Sequence, residues 1–356
     1  MRTEHRILRG DARDLSALPG GSVHLVVTSP PYPLVAMWDP AFSQMSPAAA
    51  AALEAEDAAA AFEAMHQELD RVWAHCQRVL VDGGFLCVNI GDAARSMGGR
   101  FALWPNHARI LTAALRLGLT VLPDVLWRKP SNAPNKFMGS GMLPAGAYVT
   151  YEHEYVLILR KGGPREMSAA DRERRQRSAM FWEERNAWFS DLWSDLKGTR
   201  QELDRGTRER SGAFPVELPW RLIQMYSLYE DVVLDPFAGT GSTALAAAAG
   251  GRNSIGVEQD PALVALARQR LAQAPSLGRE RAEDRLYAHR ELISARLRTG
   301  KEAAHHNAAL DVPVITGQEC QLTLLVPRAL SWTDEGATFE HGPPPPPAQA
   351  ALPFGG

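Results

Sequence analysis

Cysteine is scarce in this chain: Cys76, Cys87 and Cys320 are the only three in 356 residues, and no two form a Cys-x-x-Cys pair. That excludes a disulfide framework and a cysteine-built zinc cage, so three reduced thiols and no metal site are expected. Long apolar runs are also missing. None approaches the roughly 18 to 20 residues that cross a bilayer, and Met1-Arg2-Thr3-Glu4-His5 leads into no apolar signal region, so the expectation is a cytoplasmic protein without a membrane partner. Charge is not dominated by one sign, the net value being −3, which argues against a general polycation but leaves room for local basic surfaces. Two stretches qualify. From Arg100 to Lys136 six basic residues face the single acid Asp124, a net +5, and from Arg160 to Arg177 seven face three acids, a net +4. Each reads either as part of a one-sided nucleic-acid footprint or as a solvated helix face neutralised by nearby acids.

What is present is an alternation of short apolar strands and helices. Ile7-Leu8, Ser22 to Thr28, Phe85 to Ile90, Thr120 to Trp127 and Glu154 to Leu159 read as strands. Ser46-Pro47 offers a helix start, and Leu69, Val72, Trp73, Cys76, Val79 and Leu80 fall at helical spacing before Asp82-Gly83-Gly84 stops the helix. Ala102 to Leu117 is a further expected helix. After a charged break from Gly162 to Gly212, the pattern resumes with helix Glu217 to Tyr229, strand Val232 to Leu234, helix Ser242 to Ala249, strand Ser254 to Val257 and helix Pro261 to Leu271. Such alternation predicts an α/β fold, a doubly wound and mostly parallel sheet covered on both faces. Beyond Leu271 the signal weakens, and the Pro343 to Pro347 run is expected to be extended polyproline.

Val232-Val233-Leu234-Asp235 is a strand ending in an acid, and Gly239-Thr240-Gly241 then turns into a helix starting at Ser242 and Thr243. A glycine turn there admits a ligand to the backbone, and Glu258, ending the next strand, is placed to accept both ribose hydroxyls. A P-loop is excluded because no Gly-Lys-Ser/Thr follows. A dinucleotide would bring a pyrophosphate, which the acid of Asp235-Pro236-Phe237 would repel. That acid suits an ammonium group instead. S-adenosylmethionine carries an ammonium, a ribose and a sulfonium.

Thr28-Ser29-Pro30-Pro31-Tyr32 follows a buried strand, and its two prolines hold φ at successive positions, fixing a carbonyl and a hydroxyl in space. Taken alone it is equally a stiff strand exit with Tyr32 packed. With the glycine turn, however, the chain resembles the amino-methyltransferases of bacterial restriction-modification systems, and the order of the two motifs resembles their β group. Ser-Pro-Pro-Tyr resembles the form typical of cytosine-N4 members, adenine-N6 members usually carrying Asp or Asn first. The resemblance runs from about Ile7 to Leu271. It includes Phe214-Pro215, similar to the segment near the methionine end of the cofactor, Gly10-Asp11 near its adenine, and Glu152 to Lys161 as a late core strand. The chain departs from the family at Arg210-Ser211-Gly212-Ala213, where many members have a histidine.

The resemblance implies S-adenosylmethionine as methyl donor and cytosine N4 of double-stranded DNA as acceptor, with adenine N6, or a non-catalytic cofactor- and DNA-binding protein, as the rivals. Ser29 and Pro30 would accept the two amine hydrogens, Pro31 would stiffen the loop, and Tyr32 would stack on a flipped base. Asp92 would orient Ser29 or take a proton, or else simply cap a helix. Asp11, Phe214, Pro215, Asp235, Pro236, Phe237, Gly239, Thr240, Gly241, Ser242, Thr243 and Glu258 would hold the cofactor. Cytosine-C5 chemistry is disfavoured, since its nucleophilic cysteine usually follows proline and here His75, Leu86 and Glu319 precede the three cysteines. The implied division is a catalytic half over 1–161, a target-recognition insertion over 162–212 with Arg172, Arg174, Arg175 and Arg177 on DNA, and a cofactor half over 213–275. An extension over 276–330 and a disordered tail over 331–356 would follow. A restriction endonuclease acting on the same site is the implied partner, and the enzyme would be a monomer or homodimer.

Overall fold

Val23, Leu25, Val26 and Val27 have no exposed surface, and the strand they form, Val23–Thr28, lies at the centre of a sheet with eleven strands among the described residues. The computed structural model describes residues 1–129, 138–196 and 214–344. Leu80–Ile90 runs parallel to this central strand on one side, and Val232–Asp235 runs parallel to it on the other. Asn253–Glu258 and then Arg2–Arg9 continue the parallel set. Mainly antiparallel pairing completes both flanks. His153–Lys161 runs antiparallel to Leu80–Ile90 and to Leu119–Val121 and Val125–Arg128, and Leu192–Trp193 lies parallel to Val125–Arg128 at the far edge. On the opposite flank Gly336–Gly342 and Val326–Thr333 follow Arg2–Arg9. The fold is thus α/β with a central, mostly parallel sheet.

Strand periodicity divides the core in two. Val26, Leu86 and Val88 face helix Ala58–Val79, whose Leu69, Val72, Trp73, Cys76 and Val79 form the expected apolar stripe. Leu25, Val27 and Cys87 face the other way, toward Leu218 and Leu222 of helix Glu217–Tyr226 and Ala246 of helix Ser242–Ala249. From the central pair of strands the chain winds outward in opposite directions. The loops after Thr28 and after Asp235 therefore leave side by side at the carboxyl edge, where such sheets open a crevice.

Four local expectations need correction. The helix expected from Ala102 starts at Asn106, because Arg100–Trp104 pairs with Ala93–Met97 across Gly98 and Gly99, both at positive φ, and Pro105 separates strand from helix. Thr120 to Trp127 is two strands, interrupted at Pro123, with the Asp124 carboxylate accepting the Ile158 N–H at 3.1 Å in place of a ladder bond. The described part of the charged break does not stand apart from the core, since Leu192–Trp193 joins the main sheet and Phe181 packs against Ala282, Val312 and Val314. Residues 331–344 are not a loose tail: Trp332 and Thr333 end one edge strand and Gly336–Gly342 forms the next, burying Ala337 and Phe339. Pro345 to Pro347 and the rest of the expected tail lie outside the described residues, as do 197–212 of the expected insertion.

Candidate active site

A cavity of about 900 Å³ opens at the carboxyl edge, and residues from both motifs line it. Ser29, Pro30, Pro31 and Tyr32 form one wall, while Asp235 to Thr240, Ser242 and Glu258 form the other. Its volume falls within the roughly 300–1,000 Å³ of small-ligand sites.

On the second wall the glycines have separate jobs. Gly239, at φ +50°, donates its N–H to Glu258 Oε2 at 2.9 Å, which fixes the turn against the end of the neighbouring strand. Gly241, at φ +80°, opens helix Ser242–Ala249, and a Cβ there would stand 2.8 Å from that of Ala267. Its requirement comes from helix packing rather than from a ligand. Glu258 Oε1 also accepts the Asp260 N–H at 2.9 Å, so its carboxylate is aimed while remaining part of the cavity lining.

Asp235 is more enclosed than a free acid at a strand tip would be. It is 3% exposed, and it accepts bonds from Thr28 Oγ1 at 2.7 Å, Thr243 Oγ1 at 2.7 Å and the Phe237 N–H at 3.1 Å. Burial nevertheless dominates over these bonds and pushes its carboxyl up to about 6. Thr243 thus belongs to the bracket around Asp235. Ser242 donates to the Phe214 carbonyl at 3.3 Å, placing Phe214 at the cavity, with Pro215 buried behind it. Asp11 holds the Arg13 guanidinium at 2.6 Å, and it is Arg13, with Gly10 and Ala12, that reaches the lining.

The first wall carries a hydrogen-bond network that the sequence did not announce. Ser29 Oγ lies 3.0 Å from Tyr32 Oη, and Tyr32 donates to Glu154 Oε2 at 3.1 Å. Asn89 Nδ2 donates to both Tyr32 Oη and Glu154 Oε2, each at 2.8 Å, while Lys129 pairs with the other oxygen of Glu154. Burial, and next the Glu154 charge, raise the Tyr32 phenol well above its ordinary value, so it stays protonated. Gly91 packs on the Tyr32 ring so closely that a Cβ would lie 3.1 Å from Cε2. Asp92 lines the cavity, but its carboxylate accepts the N–H of His107 at 3.1 Å and bonds His107 Nδ1 at 2.8 Å. No helix follows Gly91 for it to cap, since strand Ala93–Met97 comes next; Asp92 instead ties the first turn of the distant helix Asn106–Arg116. Two signals could have found the network: Asn89 is a polar residue inside an apolar strand, and Glu154 stands at the entry of another.

The structure does not bring Arg172, Arg174, Arg175 and Arg177 to the cavity. Their helix, Ala169–Arg177, docks at the amino edge of the sheet: Arg174 donates to the Tyr229 carbonyl at 3.2 Å, pairs with Asp171, and lies 3.8 Å from Asp231, the residue preceding strand Val232–Asp235. Arg172 donates to the Met167 carbonyl at 2.7 Å. Other groups adjoin the lining residues Asp92 and Lys129 along the chain. The exposed Arg100 sits on the hairpin rising from Asp92, the Arg128 side chain is 61% exposed, and the rings of Phe101 and Tyr148 stack at 4.9 Å between the two hairpins there. Lys136 lies outside the described residues.

Comparison with known proteins agrees with this geometry. The N6/N4 DNA methylase family matches residues 23–269. Type II methyltransferase M.MthZI of Methanothermobacter thermautotrophicus is 46% identical over 331 residues, covering 92% of each chain. M.MjaI of Methanocaldococcus jannaschii, also a Type II methyltransferase, is 46% identical over 272 residues, covering 73% of this chain and 89% of its own. Among solved structures, the Thermus thermophilus protein TTHA0409, assigned as a DNA modification methylase and complexed with S-adenosyl-L-methionine, superposes with a TM-score of 0.59. It is 37% identical, covering 76% of this chain and 94% of that one.

Proposed function

Because this chain belongs to the N6/N4 DNA methylase family and its cofactor is S-adenosylmethionine, we propose that it methylates the exocyclic N4 of a cytosine flipped out of double-stranded DNA. One observation carries the reading: the Ser29 hydroxyl, in a loop stiffened by Pro30 and Pro31, shares a cavity with the Gly239 turn and Glu258. The serine at the first motif position is what favours cytosine over adenine.

The lining suits the cofactor. Glu258 offers a carboxylate to ribose hydroxyls, Phe237, Val257 and Leu263 offer apolar surface to a purine ring, and Gly239 lets the backbone approach. Once bound, S-adenosylmethionine supplies an electrophilic methyl group on its sulfonium. The chain's own task is to make a poor nucleophile attack. An aminopyrimidine nitrogen delocalises its lone pair into the ring; if Ser29 Oγ and the Pro30 carbonyl accept its two hydrogens, the nitrogen moves toward tetrahedral geometry and the pair localises. A base inside a duplex cannot reach this depth, so extrusion precedes the reaction.

The duplex would approach the carboxyl edge, against the hairpins bearing Arg100, Phe101 and Tyr148 and against Arg128. This replaces the arginine helix as the expected DNA surface. By analogy with the Type II relatives, an endonuclease cutting the same site is the proposed functional partner. Mass spectrometry of nucleosides from DNA incubated with protein and cofactor tests the reading: N4-methylcytosine is expected. N6-methyladenine would correct the base, and an unmodified digest would refute the function.

A further inference from the structure

We propose that Glu154, held by Lys129, is a positioning residue that dictates where the hydroxyl protons of Tyr32 and Ser29 point, so that Ser29 presents an acceptor rather than its proton to the target amine. This role rests on the amine-methylation reading above but not on which base carries the amine.

Glu154 pairs with Lys129 through Oε1 and faces Tyr32 and Asn89 through Oε2. A carboxylate has no hydrogen to give, so Tyr32 must donate its only one to Glu154 across 3.1 Å. Asn89 is oriented by the same charge: its NH2 group, not its carbonyl, faces Oε2, and that group also reaches Tyr32 Oη at 2.8 Å. Tyr32 Oη has then spent its proton and accepted one bond. Its remaining lone pair lies 3.0 Å from Ser29 Oγ, so there the serine can only be the donor. The Ser29 proton is drawn out of the cavity, so its oxygen is free to accept one amine hydrogen while the Pro30 carbonyl takes the other.

Glutamine at position 154 would undo this ordering without changing its size. An amide N–H directed at Tyr32 Oη would free the phenol proton to turn toward Ser29, occupying a serine lone pair and pushing the serine proton into the cavity. A donor would then oppose the N–H groups of the substrate. Because the fault lies in hydroxyl orientation, it should appear in the chemical step rather than in binding.

Wild type is assayed first on cognate plasmid DNA, and absence of methyl on any base amine refutes the functional reading itself. With active wild type, E154Q is expected to lower kcat roughly 10- to 100-fold, the scale of one misdirected charge-assisted hydrogen bond, with KM for DNA and cofactor affinity within about threefold. Y32F should show a similar loss. The double variant E154Q/Y32F should be no slower than Y32F alone, since Glu154 acts through the phenol. Wild-type kcat in E154Q or in Y32F overturns the proposal, as does a double variant whose loss is the product of the single losses. Should E154Q fail to fold, the activity of Y32F still decides.

Discussion

Thr28 donates its hydroxyl proton to Asp235 at 2.7 Å, across a sequence separation of 207 residues. Ser29 follows Thr28 directly, and the glycine turn follows Asp235, so one bond clamps the two walls of the cavity together. The bond also belongs to a buried acid, which gives it a pH signature. In the unfolded chain this carboxyl titrates near 3.8, whereas burial in the fold raises it to about 6. Below 3.8 both states hold the proton; between the two values only the folded state does. The contribution to stability is therefore greatest at low pH and declines as pH rises through about 6, by at most about 3 kcal/mol. Subtracting the urea-unfolding free energies of D235N from those of wild type at about pH 3.5, 5 and 7 should reveal that decline. A difference that does not vary with pH would remove burial as the cause.

Ser29→Ala should leave cofactor affinity near wild type and lower turnover on the order of a hundredfold or more, because it deletes an acceptor at the amine while leaving the Gly239 turn intact. Calorimetry with cofactor and single-turnover methylation separate the two effects. Undiminished methylation would place the chemistry elsewhere.

Glu258→Ala should do the reverse. It removes the carboxylate expected on the ribose and also releases the Gly239 and Asp260 N–H groups. Cofactor binding should weaken by at least about tenfold, consistent with the loss of about 1.5–3 kcal/mol from charge-assisted bonds. Wild-type affinity measured by calorimetry would move the ribose site away from Glu258.

Gly241→Ala tests whether that glycine serves packing. Its left-handed backbone and the 2.8 Å approach to Ala267 predict destabilisation of roughly 1–3 kcal/mol, read as a lowered unfolding midpoint. Saturating cofactor should not abolish the defect, as it would if the glycine only made room for ligand.

Legibility from sequence followed how each segment signals its environment. The β-branched run of Val23–Thr28 and the helical stripe from Leu69 to Val79 announce their elements because burial there is apolar and periodic. Helix Ala274–Arg298 does not. It buries Ala274, Gly278, Ala282, His289 and Ile293, mostly small or polar residues, and Gly278 is needed because Pro327 would stand 2.6 Å from a Cβ. Nothing in such a face contrasts with the solvent face. At the site, the two motifs were readable because their residues are contiguous. Asn89, Lys129 and Glu154 come from separate segments and acquire meaning only when the sheet sets Asn89 and Glu154 against Tyr32. The Ala169–Arg177 helix shows the converse: its charge was visible, its position at the amino edge was not.

That position yields a discriminating test of the DNA surface. Asp231 is fully buried and sits between Arg165, at 2.7 Å, and Arg174, at 3.8 Å. Replacing Arg172, Arg174, Arg175 and Arg177 together with alanine should therefore cost stability, on the order of 1 kcal/mol, because Arg174 also holds the Tyr229 carbonyl. DNA affinity should stay near wild type, since the helix lies at the amino edge, opposite the carboxyl edge at which the proposed function brings in the target base. Replacing Arg100 and Arg128 with alanine should have the opposite effect. Arg128 adjoins Lys129 of the cavity lining and Arg100 lies on the hairpin that follows Asp92, and each phosphate contact they make would contribute about 0.9 to the slope of log affinity against log salt. Loss of both should weaken binding at low salt and flatten that slope by up to about 1.8, with little change in the unfolding midpoint. If instead the four-arginine variant loses affinity and slope while Arg100 and Arg128 prove dispensable, the duplex lies along the amino edge, and a flipped base could not reach Ser29 by the proposed route.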